Sequence, residues 1–136
     1  MEKKVLIVED EPDVGEYLKT VLETEGYLTF LSDDAGKAFE TVKEVRPDLI
    51  CLDIMMPRES GISFYIRLKK NDLLRGIPVV IVSGAIHLGE FDFRAYVPDT
   101  SIAPPEQYIE KPIVVEAFLK TVEELTAAGD SAKTRE

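Results

Sequence analysis

The chain has 136 residues, of which 45% are hydrophobic and 31% are charged, a composition typical of one globular domain. Its net charge of −10 disfavours direct binding of nucleic acid or of an anionic membrane surface. Its apolar runs are far shorter than the roughly 20 residues that span a bilayer, so no membrane segment is expected. A single cysteine and an amino terminus that enters a strand without a leader indicate the cytoplasm.

Apolar runs and helical patterns alternate along the chain. The first strand is predicted at 5–8, and Pro12 after it suits the first turn of a helix, which Gly26 ends. A second strand is predicted at 27–31. A second helix begins at residue 33 or 34, where an aspartate suits the N-cap position.

The third strand, 49–53, is a continuous apolar run that ends in an aspartate, and the third helix begins at Gly61. The fourth strand, 79–82, is again fully apolar. A fourth helix is expected next, but the glycine and prolines of 85–106 leave room for a short helix at most, followed by an irregular loop at 98–106.

A short strand at 107–109 and a helix that reaches about residue 125 complete the pattern. The alternation predicts an α/β fold, a flavodoxin-like doubly wound sheet of five parallel strands in the order 2-1-3-4-5, with an irregular fourth helix region. Residues 1–126 are assigned to this one domain. Residues 127–136 are small and polar and are expected to form a flexible tail or the start of a linker.

Polar side chains stand where the predicted strands end. Glu9 and Asp10 follow the first strand, and Asp53 closes the third. Ser83 and Lys111 stand at the ends of the fourth and fifth strands. In the predicted strand order these ends meet at one edge of the sheet, which is where open α/β sheets bind ligands. We therefore expect these side chains to form one pocket.

The residue types in this pocket favour phosphoryl chemistry. Clustered carboxylates repel one another, and a hard divalent cation such as magnesium removes that conflict while sharing its ligand shell with a phosphoryl group. Lys111 offers a point charge to phosphate oxygens, and Ser83 offers a hydroxyl donor. An aspartate accepts a phosphoryl group as a nucleophile, giving an acyl phosphate. The residues predict a magnesium-dependent phosphoryl site with Asp53 as the nucleophile.

Four short sequence motifs follow one another in order on these predicted elements. They are the pair Glu9-Asp10, the run Asp-Ile-Met-Met-Pro at 53–57 followed by Gly61, the pair Ser83-Gly84, and Tyr108 ahead of Lys111-Pro112. Each motif is weak alone, but in this order the chain resembles the receiver domains of bacterial two-component response regulators, of the chemotaxis-regulator type, over residues 4–126.

The resemblance implies a phosphoryl donor and a metal. A sensor histidine kinase or a histidine phosphotransfer protein would donate the phosphoryl group to Asp53. Magnesium would be bound directly by Asp10, by Asp53 and by the backbone carbonyl of Met55, and through water by Glu9.

The resemblance also implies a conformational switch. Ser83 would move to the phosphoryl oxygen, and Tyr108 would swing inward behind it. The sequence leaves open a Tyr108 that is packed inward permanently. The peptide bond between Lys111 and Pro112 is expected to be cis, as is usual in the family.

The chain departs from the family pattern in 85–106, which is longer than usual and lacks the common Gly-Ala before the last strand. The fourth helix and fifth strand are the usual output surface of receivers, so the downstream protein, or a missing output domain, stays unknown. Met55 and Ala85 flank the expected path of attacking water, and neither side chain orients it by a strong hydrogen bond. We therefore expect slow self-dephosphorylation. We also expect a switch protein rather than a classical enzyme, because it would catalyse only its own phosphotransfer and dephosphorylation.

Rival functions differ in the residues they need. A flavin carrier of this fold needs a hydroxyl- and glycine-rich phosphate loop, whereas 9–12 is acidic. An aspartyl-phosphate hydrolase normally places a second acid where Met55 stands. The remaining alternative is a phosphorylation-independent docking module that acts through 85–106. It predicts partner binding that does not depend on phosphorylation.

Overall fold

A computed structural model of the chain describes residues 2–54, 61–84 and 92–134, with side chains as far as residue 127. Strands alternate with helices along this part of the chain. The strands are β1 (Lys4–Val8), β2 (Leu28–Ser32), β3 (Leu49–Leu52), β4 (Val79–Ser83) and β5 (Gln107–Glu110). The helices are α1 (Pro12–Thr24), α2 (Ala35–Val45), α3 (Gly61–Lys70), α4 (Phe93–Tyr96) and α5 (Val115–Thr134).

The strands form one parallel sheet in the order β2-β1-β3-β4-β5, which confirms the predicted topology. β1 lies between β2 and β3 and pairs Val8 with Ser32 on one side and with Leu52 on the other. The observed strand ends differ from the predicted ones by a single residue, because fraying at a terminus depends on the neighbouring strand rather than on the local sequence. β3 stops at Leu52, so Asp53 is the first residue beyond the sheet.

The apolar strands are buried on both faces of the sheet, which explains why each appears in the sequence as a continuous run of hydrophobic residues. One face of the sheet packs against α2 and α3 through residues such as Leu6, Ile50 and Phe64. The other packs against α1 and α5 through residues such as Ile7 and Phe118. Burial of each such side chain contributes about 1.5–3 kcal/mol.

The helix ends follow the signals in the sequence. Pro12 occupies the first turn of α1, where its missing N–H costs nothing, and Gly26 adopts a left-handed φ of 90° just after that helix. The Asp34 carboxylate accepts a hydrogen bond of 3.0 Å from the Lys37 backbone N–H and so caps α2. Arg46 ends α2 with a φ of 52°, a conformation that usually selects glycine.

The fourth helix is a single turn, as the prolines predict, and residues 97–106 after it are irregular. This segment is held against α3. The Tyr65 hydroxyl donates a 2.6 Å hydrogen bond to the Ala103 carbonyl, and the Phe93 ring meets the Tyr65 ring edge-on at 5.5 Å. The Arg94 side chain donates to the Asp99 carbonyl at 2.8 Å and closes the loop on itself.

The last helix is longer than predicted. α5 runs to Thr134, whereas the sequence placed its end near residue 125 and assigned 127–136 to a flexible tail. Alanine and lysine in this stretch are good helix formers, and no proline interrupts it, so a small and polar composition does not end the helix. The boundary between domain and tail stays a prediction. Across the described ranges no helix has the length and apolar character needed to cross a membrane.

Candidate functional site

The predicted site residues lie together at the carboxyl edge of the sheet, and backbone hydrogen bonds from neighbouring strands fix them there. The Asp53 N–H donates to the Val8 carbonyl at 3.0 Å. The Lys111 N–H likewise donates to the Ser83 carbonyl at 3.0 Å. Each residue therefore leaves its strand at a position set by the strand beside it.

Three carboxylates form the acidic part of the site. Glu9, Asp10 and Asp53 each place one oxygen so that these atoms lie within 4.8 Å of one another. Glu9 and Asp53 are buried, and Asp10 is half-buried. Removing carboxylates from water at this spacing is unfavourable without positive charge, and a set of hard oxygen donors suits magnesium.

Lys111 supplies positive charge from the end of β5. Its ammonium donates to a Glu9 carboxylate oxygen at 2.6 Å and lies 3.5 Å from Asp53 Oδ2 and 3.6 Å from Glu11 Oε1. Burial alone would lower the pKa of Lys111, but the hydrogen bond to Glu9 and the surrounding carboxylates raise it above its usual value. The lysine is therefore held charged, and it sits closer to Glu9 than to Asp53.

Glu9 shows that one lysine does not balance these acids. Burial, followed by a hydrogen bond and repulsion from Asp53, raises the pKa of Glu9 from 4.5 to about 7, and the contacts with Lys111 only partly oppose this rise. Without a further cation the site therefore retains a proton near neutral pH. Such a pocket fits a divalent cation, which would take the place of that proton.

Ser83 completes the site with an unsatisfied hydroxyl. The residue is fully buried, and its Oγ has no hydrogen-bond partner among the described residues. A buried hydroxyl without a partner costs about 1–3 kcal/mol, so its presence beside Lys111 and Asp53 points to a polar ligand that would bond to it.

Comparisons with known proteins agree with this arrangement. The family described as "Response regulator receiver domain" matches residues 5–123, nearly the whole chain. The chain belongs to this family. Solved receivers share the fold, among them a CheY-like response regulator receiver domain from Methanospirillum hungatei JF-1, at a TM-score of 0.82 and 23% identity over 97% of this chain and 99% of that one.

Curated relatives of this receiver domain fall into two lengths. The polar-differentiation response regulator DivK of Brucella anthropi is 34% identical over 122 residues, which cover 90% of this chain and 94% of DivK. The phosphate regulon transcriptional regulatory protein PhoB of Escherichia coli strain K12 is 37% identical over 112 residues, which cover 82% of this chain but 46% of PhoB. The chain thus spans nearly all of one relative and about half of the other.

Tyr108 lies on β5 opposite Ile81, half-buried against the apolar cluster shared with α2 and α3. Burial raises the pKa of its hydroxyl, and nearby Arg94 opposes the rise. The inward movement of Tyr108 stays a prediction. The Lys111–Pro112 peptide bond is cis, as predicted.

Two contacts of the receiver site went unnoticed in the sequence. Glu11 approaches Lys111, and its backbone N–H donates to Glu9 Oε2 at 3.3 Å. Gly84 lies so close to Lys111 that a Cβ there would stand 3.1 Å from the lysine Cβ. The run of three acids at 9–11 was the only signal for the first contact. Met55 and Ala85, to which roles were also assigned, lie outside the described residues.

Proposed function

We propose that the chain is a phosphorylation-activated switch of a two-component phosphorelay, in which Asp53 accepts a phosphoryl group from a histidine kinase or a phosphotransfer protein. The observation that carries the proposal is the meeting of Asp53 with two further carboxylates within 4.8 Å and with a charged lysine at 3.5 Å, at an edge that also carries the buried Ser83 hydroxyl, which has no partner among the described residues. Few other chemistries need a buried nucleophilic acid, a cation site and a phosphate-binding lysine together.

The reaction is a transfer between two nucleophiles. A carboxylate oxygen of Asp53 forms a bond to phosphorus as the phosphorus–nitrogen bond of the donor phosphohistidine breaks, and the leaving imidazole takes up a proton. The products are an acyl phosphate and a neutral histidine. Magnesium would be held by Glu9, Asp10, Asp53 and the Met55 carbonyl. When bound, it supplies positive charge that offsets the carboxylates and the phosphoryl oxygens.

Lys111 and Ser83 then respond to the new dianion. The lysine ammonium, now 2.6 Å from Glu9, turns toward the phosphoryl oxygens, and the Ser83 hydroxyl donates to one of them. Tyr108 follows Ser83 inward. The Ser83 hydroxyl supports this sequence of events, because it has no partner among the residues that the structure describes and the phosphoryl group would provide an acceptor.

A groove beside the site supports a protein donor. A cavity of 370 Å³ between α1 and the residues after β5 is lined by Asp13, Val14, Tyr17, Lys111, Pro112 and Ile113. Its lining is largely apolar, and the Tyr17 side chain within it stays 48% exposed. A docked donor helix would cover this surface while its histidine reaches Asp53 from beside Lys111.

The test is intact-protein mass spectrometry after incubation with acetyl phosphate, with and without magnesium, beside the control Asp53→Asn. We expect the gain of one phosphoryl group only with magnesium and only in the unmodified chain. No gain of mass in any condition would contradict the proposal and would favour the phosphorylation-independent docking module. No contact among the described residues supports that alternative. The cytoplasmic location expected from the sequence stays a prediction.

The expected slow self-dephosphorylation is tested in the same experiment. Met55 and Ala85 carry no group that orients water by a strong hydrogen bond, so the acyl phosphate should persist for minutes or longer after acetyl phosphate is removed. Replacing Met55→Glu, which adds a carboxylate, should shorten its lifetime. A lifetime of only seconds in the unmodified chain would overturn the prediction.

A further inference from the structure

The outer edge of the sheet on the β2 side carries backbone groups that point away from the fold. The Leu28 N–H donates to the Lys3 carbonyl at 2.9 Å, and the Ser32 carbonyl accepts from the Glu9 N–H at 3.0 Å, so both residues face β1. In a parallel ladder this orientation alternates, so Thr29 and Leu31 direct their N–H and C=O groups to the outer edge.

This edge lacks the devices that usually prevent strand pairing. The sequence of β2 is Leu-Thr-Phe-Leu-Ser, without a charge or a proline. Leu28 and Leu31 remain 40% and 36% exposed. Natural edge strands are commonly protected by lysine, by proline or by a bulge, so an uncharged five-residue edge is open to an added strand.

A groove follows the same edge between α1 and α2. Its volume is 590 Å³, within the range of ligand-binding clefts. We call it the β2-edge groove, and it is lined by Glu9, Pro12, Glu16, Lys19, Thr29, Phe30, Leu31, Asp33 and Thr41. Within it the Thr29 hydroxyl is buried and has no hydrogen-bond partner among the described residues.

The charges of the β2-edge groove select the occupant. Glu16 and Asp33 contribute two negative charges against the positive charge of Lys19, the third acid of the groove, Glu9, is paired with Lys111, and the whole chain carries −10. A second copy of the chain would bring the same acids and the same net charge to the contact, which opposes edge-to-edge pairing. An extended segment with lysine or arginine side chains complements both the backbone groups and the charge.

We propose that the β2-edge groove binds an extended basic segment of a partner protein, which adds a strand to β2 through the outward backbone groups of Thr29 and Leu31. The main-chain hydrogen bonds fix the segment in place, and its cationic side chains meet Glu16 and Asp33. Glu9 lines the groove and also contacts Lys111 at 2.6 Å, so the groove adjoins the acidic pocket. The backbone groups of Thr29 and Leu31 take no part in the phosphoryl chemistry proposed above, so strand addition does not require it.

The test is a titration of the full chain, labelled with ¹⁵N, with a synthetic capped peptide of alternating lysine and valine. A matched peptide of alternating glutamate and valine is the control. We expect the amide signals of Thr29 and Leu31 to shift with the lysine peptide at sub-millimolar concentration and to stay in place with the glutamate peptide.

Two variants, each with a matched control, separate strand addition from non-specific electrostatic attraction. Leu31→Pro removes an outward N–H without removing a bond to β1 and should weaken binding at least tenfold, whereas Leu31→Val keeps the N–H and should change it less than twofold. Glu16→Lys should also weaken binding severalfold. Glu23→Lys makes the same charge change on α1 outside the groove and should have little effect on binding. The comparison of Glu16→Lys with Glu23→Lys still tests the proposal if Leu31→Pro fails to fold.

Several outcomes would overturn the proposal. One is the absence of shifts at Thr29 and Leu31 at millimolar peptide. Another is a set of shifts confined to Asp10, Asp53 and Lys111, which would place the peptide in the acidic pocket. Equal binding by Glu16→Lys and the unmodified chain would remove the charge argument. Concentration-dependent broadening of the β2 amides without peptide would assign the edge to a second copy of the chain.

Discussion

At the scale of single residues, the site is governed by competition for Glu9. Its carboxylate binds the Lys111 ammonium at 2.6 Å, while Asp53 is 3.5 Å from the same nitrogen. A cation that binds between Glu9, Asp10 and Asp53 would approach the Glu9 oxygen that now accepts the hydrogen bond from Lys111. Lysine and magnesium are therefore expected to oppose each other before a phosphoryl group arrives.

Replacing Lys111→Met should strengthen magnesium binding and slow phosphorylation. A positive charge about 4 Å from a cation is worth at least about 1 kcal/mol even at the dielectric of water, so its removal should raise the affinity roughly fivefold or more. The phosphoryl oxygens meanwhile lose their positive partner. Isothermal titration with magnesium measures the first effect, and the rate with acetyl phosphate measures the second. Lys120→Met on α5 is the control, and weaker magnesium binding by Lys111→Met would show that the lysine organises the acids instead.

At the scale of elements, α3 is joined to the end of β3 by a backbone contact that only glycine allows. A Cβ on Gly61 would lie 2.4 Å from the Asp53 carbonyl oxygen and 2.5 Å from Ile54 Cα. The Gly61 N–H also donates to the Ile54 carbonyl at 3.3 Å. The start of α3 therefore helps to set the backbone of the proposed phosphoacceptor.

Gly61→Ala should lower the free energy of unfolding by about 1–3 kcal/mol, because backbone atoms rather than a flexible side chain must move. Gly76→Ala is the matched control, since nothing lies within 4 Å of a Cβ at that position. The control should stay within about 0.5 kcal/mol of the unmodified chain. Urea unfolding measures both. Equal effects of the two substitutions would contradict the close approach.

At the scale of the whole molecule, the buried acids link stability to pH. The pKa of Glu9 is raised from 4.5 to about 7 on folding, so the folded chain binds its proton more tightly than the unfolded chain does. This contribution to stability is fully present below about pH 4.5 and is lost as the pH rises through about 7. A cation that binds only the folded chain restores stability above that pH.

We therefore expect the free energy of unfolding in a chelator to fall between about pH 5 and pH 8, and magnesium to reduce the loss. Urea unfolding across this range, with and without magnesium, measures both effects. In Glu9→Gln the group no longer titrates, so the slope against pH should flatten. An unchanged slope in Glu9→Gln would assign the pH dependence to other groups.

Much of the fold was predictable because its signals are local. Continuous apolar runs, Pro12 at the start of α1 and the prolines after α4 report backbone preferences that hold in any context. The end of α5 was misjudged because composition does not reveal where a helix stops without a breaker. Tyr17, which shares a helical stripe with core residues of α1, is 48% exposed and lines the groove beside the residues that follow β5.

The sequence by itself determined the parallel sheet, its strand order and the acids, lysine and serine that meet at its carboxyl edge, because strand ends and their residue types are local properties. Only the tertiary structure decided that Lys111 is bound to Glu9, that Ser83 Oγ lacks a partner among the described residues and that the β2-edge groove exists. These features depend on distances between side chains far apart in the chain. Such distances are set by how helices pack across the sheet, which periodicity does not encode.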